Sequence, residues 1–148
     1  MAMTPPHENT TPALGGVLEA ALYVEDLDAA RGFYGGVLGL EQIAAVEGRH
    51  AFFRCGATIV LLFRAEATRV ASTNPKLPVP AHGATGEGHV CFAADAAALD
   101  AWRQRLEAHG IQIEADFRWP NGARSIYVRD PHGNSIEFAE PKLWEDGA

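Results

Sequence analysis

The chain of 148 residues is poor in cysteine, basic side chains and long apolar runs, and each shortage excludes a class of protein. Its 12 Lys and Arg stand against 19 Asp and Glu, giving a net charge of −7, whereas nucleic-acid binding depends on clustered positive charge. No apolar run approaches the roughly 20 residues that span a bilayer, and the N-terminus lacks the basic and apolar regions of a secretory signal. We therefore expect a cytoplasmic protein that binds neither nucleic acid nor membranes.

The two cysteines, Cys55 and Cys91, both lie in strand-like apolar runs. For such a residue in a cytosolic protein, a small buried thiol is the common state and a disulfide is the rarer one. We therefore expect two buried free thiols.

The first half of the chain predicts one strand, one helix and three further strands. Residues 1–15 mix Thr, Pro and Gly without periodicity, which is typical of a flexible leader. Residues 18–24 alternate as a strand does, and Asp26 is placed to cap a helix that ends at Gly39. Three strand-like runs follow, near 41–47, 50–55 and 58–63.

The same order of elements returns after a connection rich in Pro and Gly, residues 64–86, in which no regular element is expected. A strand begins near His89, Asp95 is placed to cap a second helix, and Gly110 follows that helix. Glu19 and His89 occupy equivalent positions, so the repeat is about 70 residues long. The remaining strands lie near 111–117, 124–129 and 134–140.

This order predicts a single α+β domain over residues 16–148, built from two βαβββ modules. Module one is expected over 17–63 and module two over 87–141. A helix covers only one side of each small sheet, so the other sides are free to face each other. We predict a clefted, half-barrel-like mixed sheet with the helices outside, since two such units enclose a cleft.

Three polar side chains fall on the strand faces opposite the apolar ones: Glu19, His89 and Glu137. A carboxylate inside a sheet is costly unless it is paired or bound to a metal. Imidazole nitrogen and carboxylate oxygen are ligands of divalent ions, and two carboxylates neutralise the double charge. The pattern therefore predicts that the three residues bind one divalent metal ion, with other coordination positions open to substrate or water.

These features resemble the vicinal oxygen chelate superfamily, the family of glyoxalase, bleomycin resistance protein and extradiol dioxygenase. The resemblance rests on the doubled element order and on the segments "LYVEDLDAARGFYGGVLGL", "GHVCF" and "DPHGNSIEF", and it covers residues 17–141. It implies the paired-module fold, a homodimer, and metal ligands on the first and last strands of each half. Those positions are Glu19, the stretch Val60 to Leu62, His89 and Glu137.

The chain departs from the family pattern at two of these positions. Glu19 stands where histidine is common, and the fourth-strand position lies in the aliphatic segment "ATIVLLFR". A four-ligand glyoxalase site is therefore disfavoured, and the rest resembles the three-ligand sites of dioxygenases and fosfomycin-resistance enzymes, with one His exchanged for Glu. The exchange favours Mn²⁺ or Fe²⁺, and Zn²⁺ or Ni²⁺ stay open.

Each proposed ligand has a competing interpretation. His89 can be an ordinary hydrogen-bonded histidine, and Glu137 can form an ion pair with Arg54 or Arg124. Glu19 can lie in water at the cleft rim or act as a free catalytic base.

Tyr127 is a second catalytic candidate, because the alternation of its strand places it on the cleft side. The resemblance implies a tyrosine near bound substrate, where a phenol donates a hydrogen bond or relays a proton to an oxyanion. The competing interpretation is a packed tyrosine whose hydroxyl reaches water.

Four residues are candidate substrate contacts. Arg54 and Arg124 can pair with an anionic substrate, or lie solvated at strand ends. His82, in the connection, is either a lid residue or simply exposed. Trp119, before an Asn-Gly turn, flanks the cleft mouth or covers the hairpin.

The sequence thus predicts a metal-dependent enzyme, a lyase or isomerase or a dioxygenase, that stabilises an oxyanion on a small oxygenated substrate. The alternative is a metal-free protein of the bleomycin-resistance type that binds an antibiotic or aromatic molecule in the same cleft.

Overall fold

The fold is that of a computed structural model, which describes residues 11–145 and contains the same element order twice. The first module consists of β1 (Glu19–Tyr23), helix α1 (Leu27–Arg31) with a π-helical extension (Gly32–Val37), β2 (Glu41–Val46), β3 (His50–Cys55) and β4 (Thr58–Phe63). A short helix α2 (Ala65–Thr68) opens the connection. The second module consists of β5 (His89–Ala93), α3 (Ala96–Ala108), β6 (Ala115–Arg118), β7 (Arg124–Arg129) and β8 (Ser135–Ala139), followed by a 3-10 turn (Pro141–Trp144).

Each module forms one open, four-stranded mixed sheet. The strand orders are β1-β4-β3-β2 and β5-β8-β7-β6, with the first pair parallel and the other pairs antiparallel. The predicted α+β fold with two βαβββ modules is confirmed.

The helices begin and end where the sequence predicts. The Asp26 carboxylate accepts a hydrogen bond from the Ala29 amide at 3.0 Å, and Asp95 accepts one from Ala98 at 2.8 Å. Gly39 follows the first helix with a φ of +72°, a left-handed conformation that favours glycine.

The hydrophobic core is shared between the modules. It joins Leu22 and Phe53 of the first sheet to Leu99 of α3 and to Ile136 and Phe138 of the second sheet. One face of each sheet is therefore committed to packing, and the opposite face is left for other uses.

A buried polar junction holds the modules together. Tyr34 donates to Asp130 at 2.7 Å, and Asn134 donates to Asp130 at 3.0 Å and to the Tyr23 carbonyl at 3.1 Å. The Asn134 side-chain oxygen accepts from the Gly88 amide at 2.7 Å. Burial and the Asp130 charge raise the pKa of Tyr34 far above its usual value, so its hydroxyl stays a donor.

The structure corrects three local predictions. Cys91 is exposed rather than buried, although both thiols are free as predicted. The connection contains α2, and β6 begins at Ala115 rather than near 111. The predicted leader 1–15 lies mostly outside the described residues. Within residues 11–145 no helix is both long and apolar enough to cross a membrane.

Candidate functional site

The uncovered face of the second sheet carries a cluster of polar side chains. Cys91 of β5, Glu137 of β8 and Tyr127 of β7 stand side by side in the strand register. His89 is two residues before Cys91 on β5, so it lies on the same face. The alternation that buries Ile136 against the core is what turns Glu137 to this side.

His89 and Glu137 form the centre of this cluster, with His89 Nε2 lying 3.2 Å from Glu137 Oε1. His89 Nδ1 lies 3.0 Å from the Ser135 carbonyl oxygen, which can only accept, so Nδ1 carries a hydrogen. The Nε2 lone pair and the carboxylate oxygen then repel each other unless a proton or a metal cation lies between them. The His89–Glu137 pair is thus arranged to bind a cation. An imidazole nitrogen and a carboxylate oxygen can hold either a proton or a metal ion.

The second oxygen of Glu137 is held from behind by a chain of hydrogen bonds. Ser125 donates to Glu137 Oε2 at 2.6 Å, and the Trp119 indole donates to Ser125 at 2.8 Å. Glu137 is only 4% exposed, so these contacts compensate its burial. Trp119 therefore acts on the site through Ser125, a role that the sequence did not reveal.

Two neighbouring groups are uncharged near neutral pH. Although Cys91 is exposed, desolvation of its sulfur by neighbouring side chains, reinforced by the Glu137 carboxylate, raises the pKa of the thiol to about 12. Burial and the hydrogen bond to Glu137 raise the pKa of Tyr127 to about 12 as well, and its ring stacks on that of His89. Both side chains are therefore proton donors, and Cys91 is not a thiolate nucleophile.

Glu19 is not part of this cluster. The Tyr23 carbonyl bonds Asn134, whose side chain also bonds Gly88, so the end of β1 meets the start of β5. Glu19 lies four residues earlier, roughly 13 Å back along β1. Among residues 11–145 no three His, Cys, Asp or Glu side chains form a group that could hold a metal ion. The expected convergence of Glu19 with His89 and Glu137 within one chain is thus not observed.

Glu19 instead borders a cavity of about 980 Å³ on the uncovered face of the first sheet. Ile59, Leu61 and Phe63 of β4 line this cavity, which also extends to His82 at the end of the connection. The His82 ring meets Phe63 edge-on at 4.7 Å, and its Nδ1 lies 2.6 Å from the Tyr23 hydroxyl. His82 is exposed and borders the cavity.

Comparison with known proteins now assigns the family. The chain matches the model of the Glyoxalase/Bleomycin resistance protein/Dioxygenase superfamily over residues 16–138. It belongs to this superfamily. The resemblance noted from the sequence is confirmed, as is the fold that it implied.

Solved structures of the superfamily include a crystal structure of lactoylglutathione lyase from Agrobacterium tumefaciens. It is 47% identical, with a TM-score of 0.84, over 90% of this chain and 98% of that chain. A glyoxalase/bleomycin resistance protein/dioxygenase from Nocardioides is 26% identical, with a TM-score of 0.68, over 95% and 90% of the two chains. An integron cassette protein from the Halifax Harbour sewage outfall has 21% identity and a TM-score of 0.67 over 86% and 99%, and shares the fold. No curated protein matches the chain.

Of the two arginines considered as substrate contacts, Arg124 is excluded by its position. It lies on the helix-facing side of β7, where its guanidinium donates to both oxygens of Asp116 at 2.8 and 2.7 Å and to Asp100 at 2.6 Å. Ion pairing therefore occupies it fully. Arg54 shares the uncovered face of β3 with His50 and is exposed, so it stays a candidate.

Sequence analysis missed Arg49 and His50, which also line the cavity of the first module. The signal was present, because His50, Phe52 and Arg54 are spaced by two and must share one face of β3. His132, in the turn between β7 and β8, is half-buried.

Proposed function

We propose that the chain is a divalent-metal-dependent enzyme that acts on a small oxygenated substrate and stabilises negative charge on its oxygen atoms. The observation that carries this proposal is the pair of lone-pair atoms, His89 Nε2 and Glu137 Oε1, 3.2 Å apart on the uncovered face. The 47% identity to a lactoylglutathione lyase supports a lyase or isomerase reaction over a dioxygenase. Action in the cytoplasm, expected from the sequence, is part of the same proposal.

The residues of the second module fit two coordination positions of such an ion. Imidazole nitrogen and carboxylate oxygen suit Mn²⁺, Fe²⁺, Zn²⁺ and Ni²⁺ alike. The Ser135 carbonyl orients His89, and Ser125 orients Glu137, as outer residues do around bound metals. When bound, the ion supplies Lewis-acid stabilisation of a substrate oxyanion.

Tyr127 is the proposed proton donor of the reaction. Its hydroxyl keeps its proton because the pKa is raised to about 12, and Tyr127 stands opposite Glu137 in the strand register. A neutral phenol beside the His89–Glu137 pair can donate a hydrogen bond to a substrate oxygen as charge develops there. Arg54 and His82 are proposed as further substrate contacts from the first module.

A homodimer is part of the proposal, because Glu19 can then join the site from a second copy. Large apolar side chains on and beside the uncovered face of the first module are exposed, including Leu18 at 74% and Val46 at 48%. All six residues of β2 are exposed as well. Such a surface is typical of an interface. We propose that it covers the second module of another copy, so that Glu19 of the partner subunit is the third ligand.

Elemental analysis of the purified protein tests the metal assignment. We expect about one divalent ion per chain in the native protein, and loss of the ion in His89→Ala and Glu137→Gln. Glu66→Gln, at an exposed carboxylate paired only with Arg64, is the matched control and should keep the ion. Metal-free native protein, or unchanged metal in both site variants, contradicts the proposal.

The second candidate is a metal-free binding protein for an aromatic or antibiotic-like molecule. Two observations favour it: the large apolar cavity, and the finding that no buried polar side-chain atom within residues 11–145 lacks a hydrogen-bond partner. A proton then occupies the position between His89 and Glu137. If the protein is a metal-free binding protein, a chelator leaves its affinity for the aromatic ligand unchanged. If it is a metal-dependent enzyme, the chelator abolishes its activity.

A further inference from the structure

The cavity of the first module has one charged end and largely apolar walls. Ile59, Leu61 and Phe63 of β4 form one wall, and Phe52 of β3 extends it. Its volume of about 980 Å³ lies at the upper end of the range for sites that enclose a drug-sized molecule. The strand registers place Glu19 beside Ile59 and His50 beside Phe63, so the two polar groups lie roughly 13 Å apart, at opposite ends.

The end that contains His50 carries a cation without a counter-ion. Arg49 is always charged, and among residues 11–145 no carboxylate oxygen lies within 4.0 Å of its guanidinium. Its NH1 group lies 2.6 Å from His50 Nδ1, and its charge lies 5.8 Å from the centre of the Phe63 ring. A half-buried guanidinium that meets only a neutral ring and an imidazole retains donors for an anion.

His50 adds a second donor to this end. Because Arg49 can only donate, His50 Nδ1 is the acceptor and the ring hydrogen lies on Nε2. Burial, with the charge of Arg49, lowers the pKa of His50, so the ring is neutral near pH 7. The His50 ring stacks on Phe52 at 4.0 Å, which holds it in this orientation.

We propose that this cavity binds a planar, apolar molecule with one anionic group, which Arg49 and His50 hold while Phe52 and Phe63 contact the apolar part. The site lies on the first module and uses no proposed metal ligand as an anion contact. The cavity lies on the face proposed to cover the partner's second module, so this inference rests on the proposed function and deepens it by naming the ligand class. Probe binding and metal content are separate measurements, so failure of one proposal is distinguishable from failure of the other.

Two fluorescent probes that differ in one charge test the proposal. 8-Anilinonaphthalene-1-sulfonate carries an anion, and N-phenyl-1-naphthylamine has the same aromatic frame without it. We expect Arg49→Gln to weaken binding of the sulfonate at least about tenfold, as the loss of a charge-assisted hydrogen bond predicts, and binding of the neutral probe less than about twofold. Phe52→Ala should weaken both probes.

Arg31→Gln is the matched control, because Arg31 is a cation of helix α1 that pairs with Asp28 and does not border the cavity. It should leave both affinities within about twofold of the native protein. Circular dichroism checks that each variant is folded. Saturation at one probe per chain checks that the probe occupies a single site. Equal losses for both probes in Arg49→Gln, an unchanged sulfonate affinity, or a larger loss in Arg31→Gln overturns the proposal.

Discussion

Glu137 is a buried carboxylate whose two oxygens have different partners, and this difference defines the candidate site at the scale of single residues. Oε1 faces Nε2 of His89, while Oε2 accepts a hydrogen bond from the Ser125 hydroxyl. Only one oxygen is therefore left to meet a cation. The neighbours of Glu137 hold its side chain in one orientation. The carboxylate therefore loses less conformational entropy when it binds a metal ion.

Ser125→Ala should weaken metal binding by about 10- to 100-fold without removing a ligand, because Glu137 Oε2 loses its donor and the carboxylate its fixed orientation. Competition with a chromogenic chelator measures the affinity. Ser135→Ala is the control: it removes a hydroxyl 3.3 Å from His89 Nδ1 but keeps the backbone carbonyl at 3.0 Å that orients the ring, so its affinity should stay near the native value. Native affinity in Ser125→Ala would show that this hydroxyl does not support a metal ligand.

At the scale of elements, Asp116 on β6 ties the outer hairpin of the second sheet to α3. It accepts hydrogen bonds from Arg124 of β7 and from Arg103 of α3. The hydrogen bonds from Arg124, assisted by those from Arg103, lower the pKa of Asp116 to about 2. The carboxylate is therefore charged in the folded protein over the whole neutral and mildly acidic range.

Asp116→Asn should lower the free energy of unfolding by about 2 kcal/mol at pH 7, because charge-assisted hydrogen bonds are lost. Because the pKa of Asp116 is lower in the folded protein than its unfolded value of 3.8, the charged carboxylate stabilises the fold fully at pH values above 3.8. This stabilisation is lost as the pH falls from 3.8 toward 2. Urea unfolding at several pH values should show the native protein and the variant converging between pH 4 and 2. A difference that is constant with pH would assign the effect to packing instead.

The contact between β1 and β5 depends on a glycine at its closest point. A Cβ on Gly88 would lie 2.9 Å from Leu22 and 3.3 Å from the Asn134 side-chain oxygen. Both neighbours are buried, so they cannot move without disturbing the junction between the modules.

Gly88→Ala should therefore destabilise the protein by about 1–3 kcal/mol, as overpacking does in a filled core. Gly32→Ala is the matched control, because Gly32 is helical and an added Cβ meets nothing within 4 Å. It should be neutral or stabilising by up to about 1 kcal/mol. Thermal unfolding compares the two variants, and a neutral Gly88→Ala would mean that the strands separate easily.

At the scale of the whole molecule, the proposed homodimer predicts that two defective copies restore one site. Glu19→Ala and Glu137→Ala subunits, mixed and refolded together, form heterodimers in which one cleft has lost both residues and the other has kept both. Statistical mixing should recover about one quarter of the native metal content, while each variant alone binds none. Metal analysis after mixing measures this recovery, and no recovery would contradict a site shared between copies.

The sequence was sufficient for the module architecture because local patterns specify it. The caps at Asp26 and Asp95 and the two-residue alternation of each strand are short-range signals, and the repeat adds a second copy of each. For Arg124 the sequence left two alternatives, a substrate contact or a solvated strand end, and the structure places it on the face of Ile126 in ion pairs with Asp116 and Asp100. Such pairings with residues elsewhere in the chain are not specified by strand alternation.

The docking of the modules could not be read from the sequence, because it depends on contacts between residues far apart in the chain. Asn134 reaches Tyr23 and Gly88 meets Leu22, and no periodicity encodes these pairings. These contacts place the C-terminal end of β1 beside the N-terminal end of β5. Glu19, at the other end of β1, therefore lies away from His89. The exposed apolar face of the first module is likewise visible only in three dimensions.

The duplicated strands also differ at one informative position. Leu61 stands opposite Ala21 in the first sheet, where Glu137 stands opposite Cys91 in the second. Equivalent positions of the two sheets thus carry apolar side chains in the first module and titratable side chains in the second. Under the proposed function, the substrate oxygens that meet the metal would face the second sheet, and the reverse orientation would place them against Leu61 and be disfavoured.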